Sequence, residues 1–261
     1  MHRSLNSLFA LGLLLAVLVC TTSAPAAGQS VYSTKFEDPP FVVGPLNGQD
    51  CWIAPVPFLS PNAAVISTEK PRQGQQSVRV LGEDLEHEDL IHALTNGYYD
   101  AIGSYRKPVN FDTQGIVRVR ISAHVRVDGP TTPGTNFFSA ALVAVAVGGV
   151  GVGQLDISSE GIVIANTGDN LVPVPLASGP ITLGEWHALA IVDDFGAQTF
   201  TLSVDDQSLG TYPFPAGVHS TVLSRGSLLA LTAPDTGSRH KADYTAHYDN
   251  FSISVVGKDD E

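Results

Sequence analysis

Apolar and polar residues alternate with a period of two along almost the whole chain, and no stretch carries the apolar stripe of an amphipathic helix. Such runs predict strands over Val31–Phe36, Ala64–Thr68, Gln75–Leu81, Ser104–Phe111, Ile116–Asp128 and Phe138–Val147. They recur over Gly151–Ser158, Gly161–Asn166, Trp186–Val192, Gln198–Val204, Ser227–Leu231 and Tyr244–Val255. Gly, Pro, Asn and Asp clusters separate the runs, and Asp193–Ala197 and Asp205–Gln207 have the composition of hairpin turns. Many short strands at this spacing argue for a sandwich or barrel. Gly82–Ala101 is the least strand-like segment and predicts a loop or short helix.

The faces of individual strands follow from parity. In Ile116–Asp128, Val117, Val119, Ile121, Ala123, Val125 and Val127 share one face, and Arg118, Arg120, Ser122, His124 and Arg126 share the other. This predicts a long strand with one buried and one cationic face. Phe138–Val147 is apolar on both faces and predicts a central strand covered on both sides. In the last strand Asp249, Phe251, Ile253 and Val255 fall on one face, which places Asp249 at the edge of the core.

Composition narrows the picture. Hydrophobic residues make up 43% of the chain and charged ones 15%, which fits a loop-rich globular protein. The net charge of −12 argues against nonspecific binding to nucleic acid, whose phosphates need a basic surface. His2 and Arg3, the apolar stretch Leu8–Cys20 and Ala24-Pro25-Ala26 form an export signal over residues 1–26. The apolar stretch falls short of the roughly 20 residues a spanning helix needs, so no membrane insertion is expected and the product is secreted, extracellular or periplasmic. Cleavage there leaves Cys51 as the one cysteine, expected as a small buried hydrophobe beside Trp52, and removes any intrachain disulfide.

Gly184-Glu185-Trp186-His187-Ala188-Leu189-Ala190-Ile191-Val192-Asp193, followed by Thr199-Phe200-Thr201-Leu202-Ser203-Val204-Asp205-Asp206-Gln207, resembles a hairpin of the concanavalin A-like lectin/glucanase superfamily, which includes laminin-G-like modules. Asp206 stands where that hairpin usually has Gly. Phe36-Glu37, Gly48-Gln49-Asp50-Cys51-Trp52, Gly74–Val80 and Tyr248-Asp249-Asn250-Phe251 resemble secreted bacterial members, in the same order. The resemblance implies an all-β, two-sheet antiparallel jelly-roll β-sandwich over residues 30–257, with one concave face and an acidic tail at 258–261. It also implies that the first and last strands are neighbours.

Candidate chemistry is sparse. A carboxylate at the core edge needs partners. A structural Ca²⁺ held by Glu37, Asp249 and backbone carbonyls would supply them, as members of the resembling superfamily often carry such an ion. Backbone hydrogen bonds to Asp249 are the alternative. Arg118, Arg120, His124 and Arg126 could bind carboxylate or sulfate groups of an acidic polysaccharide. Alternatively, their guanidinium groups pair with local acids such as Asp112 or Asp128 on a solvated face. Tyr98 and Tyr99 follow Asn96-Gly97 and are candidate platforms for sugar stacking, whereas Trp52 and Trp186 are expected in the core.

Catalytic signatures are absent. Glu83–Asp89 lacks the Glu-x-Asp-x-x-Glu spacing of laminarinase-like members, Arg118-Val119-Arg120 lacks the middle Glu of alginate-lyase-like ones, and His87–His92 has the wrong spacing for a zinc-protease helix. The expectation is a secreted, noncatalytic carbohydrate-binding or surface-interaction module with no assigned catalytic residue. The alternatives are a polysaccharide lyase or glycoside hydrolase of the same fold, or a purely structural extracellular domain.

Overall fold

The structure is a computed structural model that describes residues 30–53, 64–81, 99–105, 118–129, 137–147, 149–166, 171–233 and 244–257. The expected export signal, the acidic tail, the Glu83–Asp89 and His87–His92 runs and Tyr98 lie outside these residues. Strands in chain order are β1 (Ser30–Thr34), β2 (Gly44–Pro45), β3 (Trp52–Ile53), β4 (Ala64–Ser67), β5 (Ser77–Leu81), β6 (Tyr99–Tyr105), β7 (Arg118–Asp128) and β8 (Phe137–Ala146). They continue as β9 (Gly151–Ser158), β10 (Val163–Asn166), β11 (Leu171–Pro173), β12 (His187–Asp194), β13 (Thr199–Val204), β14 (Gln207–Pro213), β15 (Leu223–Ala233) and β16 (Thr245–Val255). No helix occurs among the described residues.

These strands form two antiparallel sheets, and the fold is an all-β sandwich. The nine-stranded sheet runs β14-β13-β12-β7-β16-β5-β4-β2, with β1 also paired to β16. The seven-stranded sheet runs β11-β10-β9-β8-β15-β6-β3. First and last strands are neighbours, with Thr34 opposite Phe251.

Parity decides what enters the core. Burial on β7 alternates along its whole length, with Val119, Ile121, Ala123, Val125 and Val127 inside. Phe138, Ala140, Leu142, Ala144 and Ala146 of β8 meet them from the other sheet. Ala141, Val143 and Val145 on the outer face of β8 are also buried, with Leu229, so this central strand is covered on both sides as expected.

Aromatic rings concentrate at two places. Trp52 packs on Phe251 at 5.0 Å and on Phe36 at 5.4 Å between ring centroids, and Phe195, Phe200 and Phe214 form a second group. Gly226 makes the first packing possible. A Cβ at this position would lie 2.7 Å from Cζ of Phe251, so only a residue without a side chain lets the ring reach the opposite sheet. Burying one such ring contributes about 2–3 kcal/mol.

Three expectations are corrected. Cys51 is exposed, because Asp50 and Cys51 adopt left-handed backbone (φ 42° and 67°) in a tight turn that sends only Trp52 inward. Trp186 is half-buried and lies just before β12, outside the core. Asp249 does not share a face with Phe251. Between the pairs Asp249–His124 and Ser252–Ser122, Asn250 and Phe251 together oppose the single residue Ala123, a β-bulge with Asn250 at φ 51°. The bulge turns Tyr248 and Phe251 into the core and Asp249 to the outer face, where it is nevertheless fully buried.

Candidate functional site

The outer face of the nine-stranded sheet carries the charge. Direct cross-strand partners share a face, so the register sets out rows of side chains. One row joins Arg79, His247 and Arg126 across β5, β16 and β7. The next joins Asp249, His124 and Ala188 across β16, β7 and β12. Beyond the bulge come Ser252, Ser122 and Ala190, then Ser254, Arg120 and Val192, and at the end Arg118 beside Asp194. Ser122 and Ser252 share a hydrogen bond of 2.8 Å between hydroxyls.

The structure thus brings Arg118, Arg120, His124 and Arg126 onto one face and adds Arg79 and His247. The backbone of Tyr99 opens β6 in the other sheet, opposite Leu231. Arg79 was open to discovery from its polar position in the alternation of β5. His247 was hidden, since unbroken parity with Phe251 would place it inward, and it is the bulge that turns it outward.

Several guanidinium groups are already paired. Arg126 donates from Nε to both oxygens of Asp128 (2.9 and 3.0 Å), and its second terminal nitrogen lies 2.8 Å from Asp128 Oδ1. Arg79 pairs with Glu69, and Arg118 Nε stands 3.8 Å from Asp194 Oδ2. No ion pair engages Arg120 among the described residues, and half-exposed Arg120 is the stripe's free cation there.

Burial works against protonation of both histidines on this face. Burial lowers the His247 proton affinity to a pKa of about 4, against the pull of Asp128, whose Oδ2 lies 3.5 Å from Nε2. Burial also lowers that of His124, helped by the Arg72 charge and opposed by Asp205 and Asp206. The Nδ1 atoms of both rings are buried without a hydrogen-bond partner among the described residues.

Glu37 and Asp249 meet at the adjoining loop. Glu37 Oε1 accepts the N–H groups of Gln75 (2.8 Å) and Gln76 (3.1 Å). Asp249 Oδ2 accepts those of Arg72 (2.9 Å) and Gln73 (3.2 Å), and its Oδ1 accepts that of Asn250 (2.7 Å). The backbone partners expected as one alternative for Asp249 are therefore present. Burial raises the Asp249 pKa, these N–H groups lower it, and the nearby Glu37 charge raises it again. Both carboxylates offer the hard oxygens that Ca²⁺ takes, on one loop. No group of three or more His, Cys, Asp or Glu side chains accompanies them among the described residues, so the remaining oxygens of a calcium shell would be backbone carbonyls.

Two further carboxyls lie buried on other strands. Asp156 on β9 is 2% exposed, takes Gln154 Nε2 at 3.0 Å on both oxygens, and has its pKa raised by burial to about 7. Asp193 on β12 is fully buried opposite Val119 and Phe200, with neither oxygen hydrogen-bonded among the described residues, and burial pushes its pKa far up.

No protein-family model and no curated protein matches the chain. Solved structures do match in fold. An endo-β-1,4-glucuronan lyase from the fungus Trichoderma reesei superposes with a TM-score of 0.52 at 10% identity, over 87% of this chain and 96% of the lyase. A sialidase superposes with a TM-score of 0.50 at 13% identity over 80% of this chain, which spans 17% of the sialidase's length. Both neighbours are carbohydrate-active enzymes, and at these identities the likeness is one of fold.

Proposed function

We propose that this is a secreted β-sandwich of the concanavalin A-like type that cleaves an acidic polysaccharide by elimination, with the outer face of the nine-stranded sheet as its site. The observation that carries this reading is a half-buried imidazole, His124, whose pKa burial lowers, on one sheet face with Arg118, Arg120 and Arg126. Eliminative cleavage of a uronate needs a cation to neutralise the sugar carboxylate and a base to take the proton from the carbon beside it; that C–H electron pair becomes the new carbon–carbon double bond and expels the glycosidic oxygen, which takes up a proton from water. Arg120 would supply the first and His124 the second. The near end-to-end fold match with a glucuronan lyase supports the same reading. In this reading a structural Ca²⁺ at Glu37 and Asp249 would neutralise the two carboxylates and tie the loop to the sheet.

The internal pairing of Arg126 with Asp128 and of Arg118 with Asp194 favours a second reading, noncatalytic binding of glycan by a nearly charge-balanced face. Incubation with polyglucuronate and alginate, followed by the ultraviolet absorbance of an unsaturated product, decides between them. Product formation that disappears in His124→Ala supports cleavage. Binding without any product supports the noncatalytic reading.

A further inference from the structure

Arg120 and His124 share the outer face of β7, and Ser122 stands midway between them, about 7 Å from each along the strand. A sugar unit that gives its carboxylate to Arg120 and its proton to His124 therefore lies over Ser122. There Ser122 is paired with Ser252, and their hydroxyl oxygens are 2.8 Å apart. The bulge at Asn250 creates this pair. Parity running on from the inward Tyr248 would turn Ser252 into the core, and the extra residue brings it out beside Ser122. One hydroxyl donates to the other, so the accepting one keeps its own hydrogen to give, and lone pairs remain on both. Both serines are half-buried rather than covered. Their neighbours in the same row are Ser33 on β1 and Ala190 on β12, too small to screen them. Further along β7 the face is taken up by ion pairs, Arg126 with Asp128 in one direction and Arg118 near Asp194 in the other.

We propose that Ser122 and Ser252 are specificity residues of this site, whose hydroxyls bind the free ring hydroxyls of the uronate unit held between Arg120 and His124. The inference rests on the eliminative reading above and deepens it. A ring hydroxyl both donates and accepts, as the serine pair does, so the two match in either direction. An acyl ester on the ring hydroxyl can only accept, and it adds bulk where the pair sits. The substrate class that follows is an unsubstituted uronan, with chains acylated at the ring hydroxyls refused. Each serine contributes through one neutral hydrogen bond, so its share is modest and falls on selectivity rather than on the chemistry itself.

The test uses the full chain on polyglucuronate and on the same polymer acetylated at its ring hydroxyls, with the ultraviolet absorbance of the unsaturated product giving kcat/KM. Wild type is expected to prefer the free polymer by about tenfold or more. Ser122→Ala and Ser252→Ala should each lose about three- to tenfold on the free polymer and much less on the acetylated one, so the preference narrows. Ser122→Thr keeps the hydroxyl and should keep the preference. A merely structural role lowers both rates alike and leaves their ratio where it was.

Alanine variants with the wild-type ratio overturn the specificity role, even where both rates fall together. Equal cleavage of the two polymers by wild type overturns it as well, and leaves the eliminative reading standing. A wild-type protein that forms no product from either polymer overturns that reading and this inference with it. Ser252→Ala, on the neighbouring strand, decides the question alone if Ser122→Ala fails to fold.

Discussion

Glu37, just after the first strand, and Asp249, on the last, hold the same loop through its backbone N–H groups. The two ends of the domain are therefore joined twice, once by the pairing of β1 with β16 and once through residues 72–76.

That double tie makes the loop a stability element. Asp249→Asn keeps the shape but weakens three charge-assisted bonds, and is expected to cost about 1–3 kcal/mol in chemical denaturation. Gly74→Ala is expected to cost at least about 1 kcal/mol, from its left-handed backbone and the contact with Glu37. With Ca²⁺ at this point, EDTA lowers the melting temperature, added calcium restores it, and Asp249→Asn no longer responds to either. A melting temperature indifferent to EDTA would show that the amide groups alone hold the carboxylates.

Asp156 sets an unusual slope of stability with pH. Its carboxyl keeps its proton up to about pH 7 in the folded protein, whereas the unfolded chain releases it near 3.8. Stability is therefore full below about pH 4 and falls as the pH rises towards 7, by up to about 4 kcal/mol. Asp156→Asn should remove this decline, since its carbonyl can still accept from Gln154. Urea unfolding of wild type and variant from pH 4 to 8 checks it: a difference that stays constant across that range contradicts the assignment.

His247 produces the opposite slope. The unfolded chain takes up a proton below about 6.5, but the folded ring resists it down to about pH 4. Its contribution is present above pH 6.5 and lost as the pH falls towards 4, by up to about 3 kcal/mol. Between these limits Asp156 and His247 offset one another in the wild type. His247→Gln should expose the Asp156 slope, and Asp156→Asn should leave the protein more acid-sensitive. Parallel stability curves for the two variants would contradict this.

Asp193 spends its carboxyl on nothing the described residues provide. Asp193→Leu has similar branching and replaces an unpartnered polar group with a hydrocarbon against Ile191, Phe200 and Gly153. The expected gain is about 1–3 kcal/mol at pH 7, measured by thermal or urea unfolding. A loss of stability would reveal a partner for this carboxyl.

The sandwich was readable because its strands are long and strictly alternating. Over Val119–Val127 apolar and polar residues exchange without a fault, and the structure follows them residue by residue. Gln207–Pro213 was missed as a strand because Gly210 and Pro213 break its pattern, although it lies at a sheet edge where such residues are tolerated. The Asp205-Asp206 turn was placed correctly, and both residues take the left-handed conformation (φ 49° and 63°) that a tight hairpin requires. The site was only half readable. Arg118, Arg120, His124 and Arg126 follow from parity within one strand, whereas His247 depends on an irregularity in β16, and the bond from the Arg72 N–H to Asp249 joins residues far apart in the chain. Pairing such as Arg126 with Asp128 is local and was foreseen as an alternative.

Asn250 illustrates how much one residue can weigh. Drawing it into regular pairing would act like a slipped reading frame in three dimensions. Every side chain before it would exchange inside for outside relative to those after it, so that either Tyr248 would be thrust into water or Phe251 would be, whereas a chain without Asn250 would run Tyr248 in, Asp249 out and Phe251 in with no bulge at all. A segment that bears both a sealing half and a working half therefore tolerates substitution along its length far better than a change in its count anywhere but at the bulge.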